Sequence, residues 1–456
     1  MVLLFAIAAA LPLHFHVDAT EFANTVYQTT CVTGRITCSR AIYHRFWDEK
    51  YHATEEDHAK FQEFGAIFDE LESTAPQPPP TPFLSNDFSY VPRLKIRNSW
   101  VAAALASKSP ADFRKRATAL GKPQQAEKLA AILAYFQGRL HPWWVATGLP
   151  ILKDRFPGIE KSLRTQHVPE LAIEVAAFLE ASPTSRDYYL HTVPNPEYDG
   201  DEGNGTMVLN QFALEVSHRI KPDDLGWIAI HEFTHSAYEQ APQPRKDALM
   251  QQFVDSGDAA AQPLYLYLNE AMATAVELLL AERNGKTIEE PYTELYIPRL
   301  AKAALPLLRT ALQDRKTLYD GFTAPYLAAG RAALGAEADG LQFRYSCVAL
   351  LADPDVRNAF LDRLPLRYFV DSRETWDRYS HLDGILILRY DQIHFDGNDA
   401  GLQSLMEKHR GIVYIRHDER NTVFMLARDN ATLDQLGKLW AESKEPAHEG
   451  LIFTIE

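Results

Sequence analysis

The sequence predicts an α+β chain, mostly helical, with a small sheet in its middle and a β-α-β-β-α-β unit at its end. Three observations lead there. Apolar residues recur at three- and four-residue spacing through much of 39–180 and again from 223 to about 358. Two strand-like runs interrupt the helices between 186 and 217. Residues 380–456 then carry four strand-like and two helical runs in the order of a ferredoxin-like split βαβ unit.

Composition narrows the function. At ~150 residues per domain, 456 residues suggest about three domains. Hydrophobic residues at 46% and charged residues at 23% are ordinary for a folded soluble chain, not a disordered or collagen-like one. Acids outnumber bases 61 to 46, a formal charge of −15. No Lys/Arg-rich run offsets this, so a nucleic-acid partner is not expected.

The one long apolar run, Val2 to Pro12, is too short to span a bilayer comfortably. It fits the apolar region of a secretory signal peptide occupying 1–19, with Val17-Asp18-Ala19 as cleavage site. The mature chain then has no membrane span and is secreted or periplasmic. No Lys or Arg precedes the run, so a buried N-terminal element is the other reading. In an exported protein Cys31 and Cys38 can close a small disulfide loop, or they remain two thiols in a strand-turn-strand. Cys347 reads as a buried small hydrophobe in a helix. Three cysteines at these spacings do not make a zinc site.

Residues 39–73 read as charged helix, and Pro76, Pro78, Pro79, Pro80 and Pro82 as a stiff linker. Together they make an N-terminal segment over 20–83. Residues 84–379 form the next domain. Its first helices are broken by Pro142, Pro150 and Pro157. Tyr188–Val193 and Met207–Val216 read as strands around an Asp/Gly turn at 199–205. The final domain is 380–456. Its expected core is Ile385, Ile387, Ile412, Tyr414, Val423, Met425, Leu433, Leu436, Leu439 and Phe453.

The chemistry concentrates at His231-Glu232-Phe233-Thr234-His235. An acid-rich start at Pro222-Asp223-Asp224 opens a helical pattern that runs into it. Residues four apart share a helix face, so His231 and His235 can present two imidazole nitrogens to one Zn²⁺. Glu232 is rotated about 100° from His231 and stands beside the metal, where a general base is needed. A metzincin would continue with Gly at 238 and His at 241; this chain has Tyr238 and Ala241. The third ligand expected instead is Glu270, on a following helix where Glu270, Thr274 and Glu277 share a face. Ala271, Ala273 and Ala275 keep that helix slim enough for close approach.

With Asn269-Glu270-Ala271-Met272-Ala273 after the His-Glu-x-x-His helix, residues 186–285 resemble the gluzincin (peptidase MA-like) zinc metallopeptidases. The resemblance implies a zincin-like catalytic domain at 84–379. It implies His231, His235 and Glu270 as zinc ligands and Glu232 as catalytic acid/base. It implies a peptidase acting on peptide or protein substrates, with water on Zn²⁺ deprotonated by Glu232. It further implies that the strand before the motif helix, here Met207–Val216, holds an extended substrate. The chain departs from the family in the 34 residues between His235 and Glu270 and in Ala271, where many members have Gly. Tyr292, Tyr296, Tyr319 and Tyr326 are the downstream candidates for an oxyanion donor. Two alternatives stand beside this reading: a zinc hydrolase of non-peptide amides, and a non-catalytic binding protein of zincin fold.

Overall fold

The first strand among the described residues lies inside the stretch expected to be a cleaved leader. The structure is a computed structural model that describes residues 13–77, 81–83, 85, 87, 89–153, 156–182, 185–196, 205–217, 221–288, 294–345, 349–351, 369–370, 384–389, 400–417, 421–443 and 449–456. The apolar run 2–12, Cys347 and Tyr292 fall outside these residues. Strand β1 (His14–Asp18) pairs in parallel with β2 (Asp187–Pro194). Asp18 Oδ1 meets His191 Nδ1 at 2.7 Å, and Phe15 stacks on Tyr188 at 5.5 Å. Cleavage after Ala19 would remove this strand, whose residues are exposed or half-buried.

A helical body follows, made of α1 (Glu21–Val32), α2 (Arg40–Arg45), α3 (Glu55–Ser73), α4 (Pro92–Leu105), α5 (Pro110–Thr118) and α6 (Pro123–Trp143). Local signals set the boundaries. Thr20 caps α1 by accepting from Ala23 N–H, and Thr54 with Asp57 forms a reciprocal capping box on α3. Proline opens α4, α5 and α6, where its missing N–H costs nothing. Trp47, Phe61 and Phe136 centre the body's core, the two Phe rings stacking at 4.3 Å. A Cys31–Cys38 disulfide joins the end of α1 to the residue before Ser39, in a helix-loop-helix setting rather than a strand-turn-strand.

After α7 (Leu149–Lys153), α8 (Phe156–Thr165) and α9 (Val168–Phe178) comes the rest of the first sheet. The expected strand Met207–Val216 is two strands, β3 (Gly205–Val208) and β4 (Gln211–Val216). Leu209 turns the chain at φ +60°, and Ser236 Oγ holds its carbonyl at 2.9 Å. The sheet order is β1-β2-β4-β3, with only β3 antiparallel. The substrate-strand expectation therefore falls on β3 alone. β4 is interior, buried along its whole length and paired on both sides. One sheet face (Tyr188, Leu190, Phe212, Leu214) packs on Phe233; the other carries Val193 and Ala213 into the helical body's core.

Helices α10 (Pro222–Glu239), α11 (Gln243–Asp255), α12 (Ala261–Arg283), α13 (Ile297–Asp314), α14 (Thr323–Leu334) and the short α15 (Leu341–Tyr345) complete this half. The 34 residues between His235 and Glu270 comprise the end of α10, α11 with its flanking turns, and the first turns of α12.

The tail elements appear in the expected order: β7 (Gly384–Arg389), α16 (Ala400–Lys408), β8 (Gly411–His417), β9 (Asn421–Ala427), α17 (Asn430–Glu442) and β10 (Gly450–Ile455). Their pairing is not ferredoxin-like. The sheet runs β10-β8-β9-β7-β5-β6, where β5 is Ala349–Leu351 and β6 is Phe369–Val370. In a ferredoxin-like unit the last strand returns beside the first. Here β5 occupies that edge of β7, so β10 joins the far side on β8. The helices also lie on opposite faces. Leu402 and Met406 of α16 cluster with Leu386 and Leu388; Leu433, Leu436 and Trp440 of α17 cluster with Ile385 and Ile387.

The unit thus begins upstream of 380, and β5 interrupts the helical run expected to reach 358. Of the expected core, Leu439 is 39% exposed, Tyr414 and Phe453 are half-buried, and Ile412 faces the α16 side.

Candidate metal centre

The motif helix is fixed before its histidines are reached. Asp224 Oδ2 accepts the Lys221 N–H at 2.9 Å and caps α10. Leu225, Ala229, Ile230, Phe233 and Ala237 then bury one face in the main core. The remaining face presents His231, Glu232 and His235 to α12 and to the edge strand. Ala271, Ala273 and Ala275 of α12 are fully buried, so the two helices lie close, as the slim-helix reading expects.

Three donor atoms converge. His231 Nε2 and His235 Nε2 are 3.1 Å apart, and Glu270 Oε2 lies 3.6 Å from the first and 3.5 Å from the second. Ligands ~2.0–2.1 Å from a tetrahedral zinc stand about 3.3–3.4 Å from one another. The three separations bracket that value. Among the described residues this is the one group of three or more such side chains whose ligand atoms all lie within 4.8 Å of each other.

The rings are aimed from behind. His231 Nδ1 faces Glu277 Oε2 at 3.4 Å, and His235 Nδ1 faces Asn269 Oδ1 at 3.1 Å. Acceptors at both Nδ1 atoms place the ring protons there and leave both Nε2 lone pairs pointing at Glu270. Two facing lone pairs beside a carboxylate need a proton or a cation between them. Burial lowers the pKa of His231, but Glu270 and Glu277 outweigh it and raise it to about 10. Two imidazole nitrogens and a carboxylate oxygen are a donor set that fits a divalent ion.

Glu232 stands apart from the three. Its carboxyl is pushed up by burial, against the pull of His235, His231 and a hydrogen bond from the Met207 N–H. Met207 belongs to β3, which lies across the motif helix. A Cβ on Gly205 would come within 2.6 Å of Ile228 Cγ2 and 3.1 Å of Glu232 Cγ. Glycine is what lets the strand approach this closely. Sequence reasoning put Gly205 in a turn and Met207 at the head of the substrate strand, and it missed Ser236 and the tie between Met207 and Glu232.

The candidate tyrosines among the described residues have other partners. Tyr296 donates to Gln342 Oε1 at 3.2 Å, Tyr326 to the Leu264 carbonyl at 3.4 Å, and the Tyr319 ring lies under Arg245. None of these contacts reaches the histidine cluster. No family model matches the chain, and neither does any curated protein or solved structure compared with it.

Proposed function

We propose that the chain is a zinc-dependent hydrolase that cleaves peptide bonds. The observation that carries this reading is the convergence of His231 Nε2, His235 Nε2 and Glu270 Oε2, with Glu232 beside the cluster and not in it. A divalent ion held by these three supplies Lewis acidity, lowering the pKa of a bound water and polarising a carbonyl oxygen. A structural site would use four protein ligands and need no neighbouring acid. Glu232, half-buried beside the cluster with its carboxyl pushed up by desolvation, would take a proton from the attacking water and return it to the leaving nitrogen.

Edge strand β3 favours a peptide over other amides. It pairs with β4 on one side and is the last strand of its sheet, so its other side can pair with an extended main chain. Its Met207 is already tied to Glu232, which brings such a chain to the proton carrier. The Cys31–Cys38 disulfide supports an oxidising compartment, outside the cell or in a periplasm.

Metal analysis and hydrolysis of a peptide library test the reading together. Glu232→Gln should retain zinc while activity falls ~10²-fold or more, the range general acid–base catalysis provides. Undiminished turnover in that variant, or a natural chain that binds no zinc, would refute the proposal.

A further inference from the structure

The Cys31–Cys38 disulfide closes more than its own loop. Tyr27 lies one turn before Cys31 on α1, and Ser39 directly follows Cys38. Both bind the same acid. Glu215 is fully buried on β4, on the sheet face that meets the helical body, opposite the face that holds α10. Its Oε1 accepts from Tyr27 Oη at 2.7 Å and from the Ser39 N–H at 3.2 Å. Its Oε2 accepts from Ser39 Oγ at 2.8 Å and Asn195 Nδ2 at 3.4 Å. Tyr27, Cys31, Cys38, Ser39 and Glu215 thus form a closed ring of covalent and hydrogen bonds that fastens the helical body to the sheet. A buried carboxyl is tolerated only while its donors stay in place.

We propose that this ring is a redox-sensitive clasp between the helical body and the sheet of the metal centre. Cys31 is fully buried and Cys38 is partly exposed, so a dithiol reductant reaches the Cys38 sulfur. Its thiolate attacks that sulfur, the Cys31–Cys38 bond breaks, and Cys31 leaves as a thiolate that takes a proton. The reductant's second thiol then displaces Cys38 as a thiol, and the reductant departs as a disulfide, having given up two electrons. The Ser39 segment is no longer tethered to α1, and two of the four donors named on Glu215 come free. The clasp is shut in an oxidising compartment and open in a reducing one.

Limited trypsin digestion of the full chain, before and after treatment with dithiothreitol under native conditions, tests this. Arg35, Arg40 and Arg45 are the reporter sites. Reduction should speed their cleavage about 10-fold or more, as local opening exposes the backbone. Cys31→Ser/Cys38→Ser should behave the same way without reductant. A disulfide that only tightens its own loop would do as much, so the deciding variant is Glu215→Gln with the disulfide intact. It should also be cut faster, and reduction should then add little, because both changes open one device. Ser39→Ala keeps the acid and serves if Glu215→Gln does not fold; its cleavage should rise with the disulfide intact, and reduction should add less than in the natural chain. Unchanged cleavage on reduction overturns the clasp. So does a reduction effect of the same size in whichever variant folds as in the natural chain.

Discussion

Glu277 Oε2 sits 3.4 Å from His231 Nδ1, on the side of the ring away from the converging donors. It lies seven residues after Glu270 on α12, so one helix face supplies both a donor to the cluster and the support behind a histidine. A carboxylate behind the ring fixes the tautomer and direction of the imidazole it touches.

That arrangement predicts a graded effect. Glu277→Gln should keep the fold and weaken zinc binding by ~10–100-fold, with Asn269→Ala acting likewise through His235. Competition with a chromophoric chelator measures it. Affinity equal to the natural chain's would mean the two residues do not orient the ligands.

Gly205 should tolerate no side chain. Its Cβ would meet Ile228 at 2.6 Å and Glu232 at 3.1 Å, so Gly205→Ala must push β3 off the motif helix. Overpacking of this kind costs about 1–3 kcal/mol. We expect a lower unfolding midpoint in denaturant and a loss of hydrolysis larger than the loss of zinc. Unaltered stability would show that the strand sits farther from the helix.

Asp57 predicts an acid limb of the stability curve. Burial raises its pKa, but hydrogen bonds from Arg139, Thr54 and Tyr135 more than offset that and lower it from 3.8 to about 2. The folded value is the lower one, so the stabilisation is complete above the unfolded value and disappears as pH falls through about 2. It amounts to roughly 2 kcal/mol. Denaturant titrations of Asp57→Asn and the natural chain should differ near neutrality and converge in strong acid. Parallel curves across that range would contradict the assignment.

The tail should not be separable at the expected boundary. A chain ending at Tyr379 loses β7, the partner of β5, and uncovers Leu341 and Tyr345, which pack with Trp440. We expect aggregation, seen by size-exclusion chromatography. A monomeric product that still binds zinc would show that the two halves fold apart.

Features governed by local geometry were legible in the sequence. The spacing of His231 and His235 and the helix phase of Glu270 follow from 3.6 residues per turn, and they converge as that period requires. The order of tail elements was legible for the same reason. Features governed by distant pairing were not. β1 directly follows a leader-like apolar run, and its partner lies 173 residues away at the Asp18–His191 contact. The turn inside Met207–Val216 places Leu209 at positive φ, a conformation its side chain disfavours and that no local pattern announces. β5 is three residues long in an apolar stretch that reads equally well as helix, and it alone changes which edge β10 can take.

The pairing of β1 with β2 has a consequence for synthesis. Everything from α1 to α9 is looped out between two neighbouring strands of one sheet. At ~5–20 residues per second, β1 leaves the ribosome roughly 10–30 s before β2 exists to receive it. The helices, whose contacts are short in sequence, have time to fold in that interval. Phe15 and Val17 must wait unpaired until translation has passed Pro194, which makes the nascent chain's exposed first strand the point where a holding chaperone would matter most.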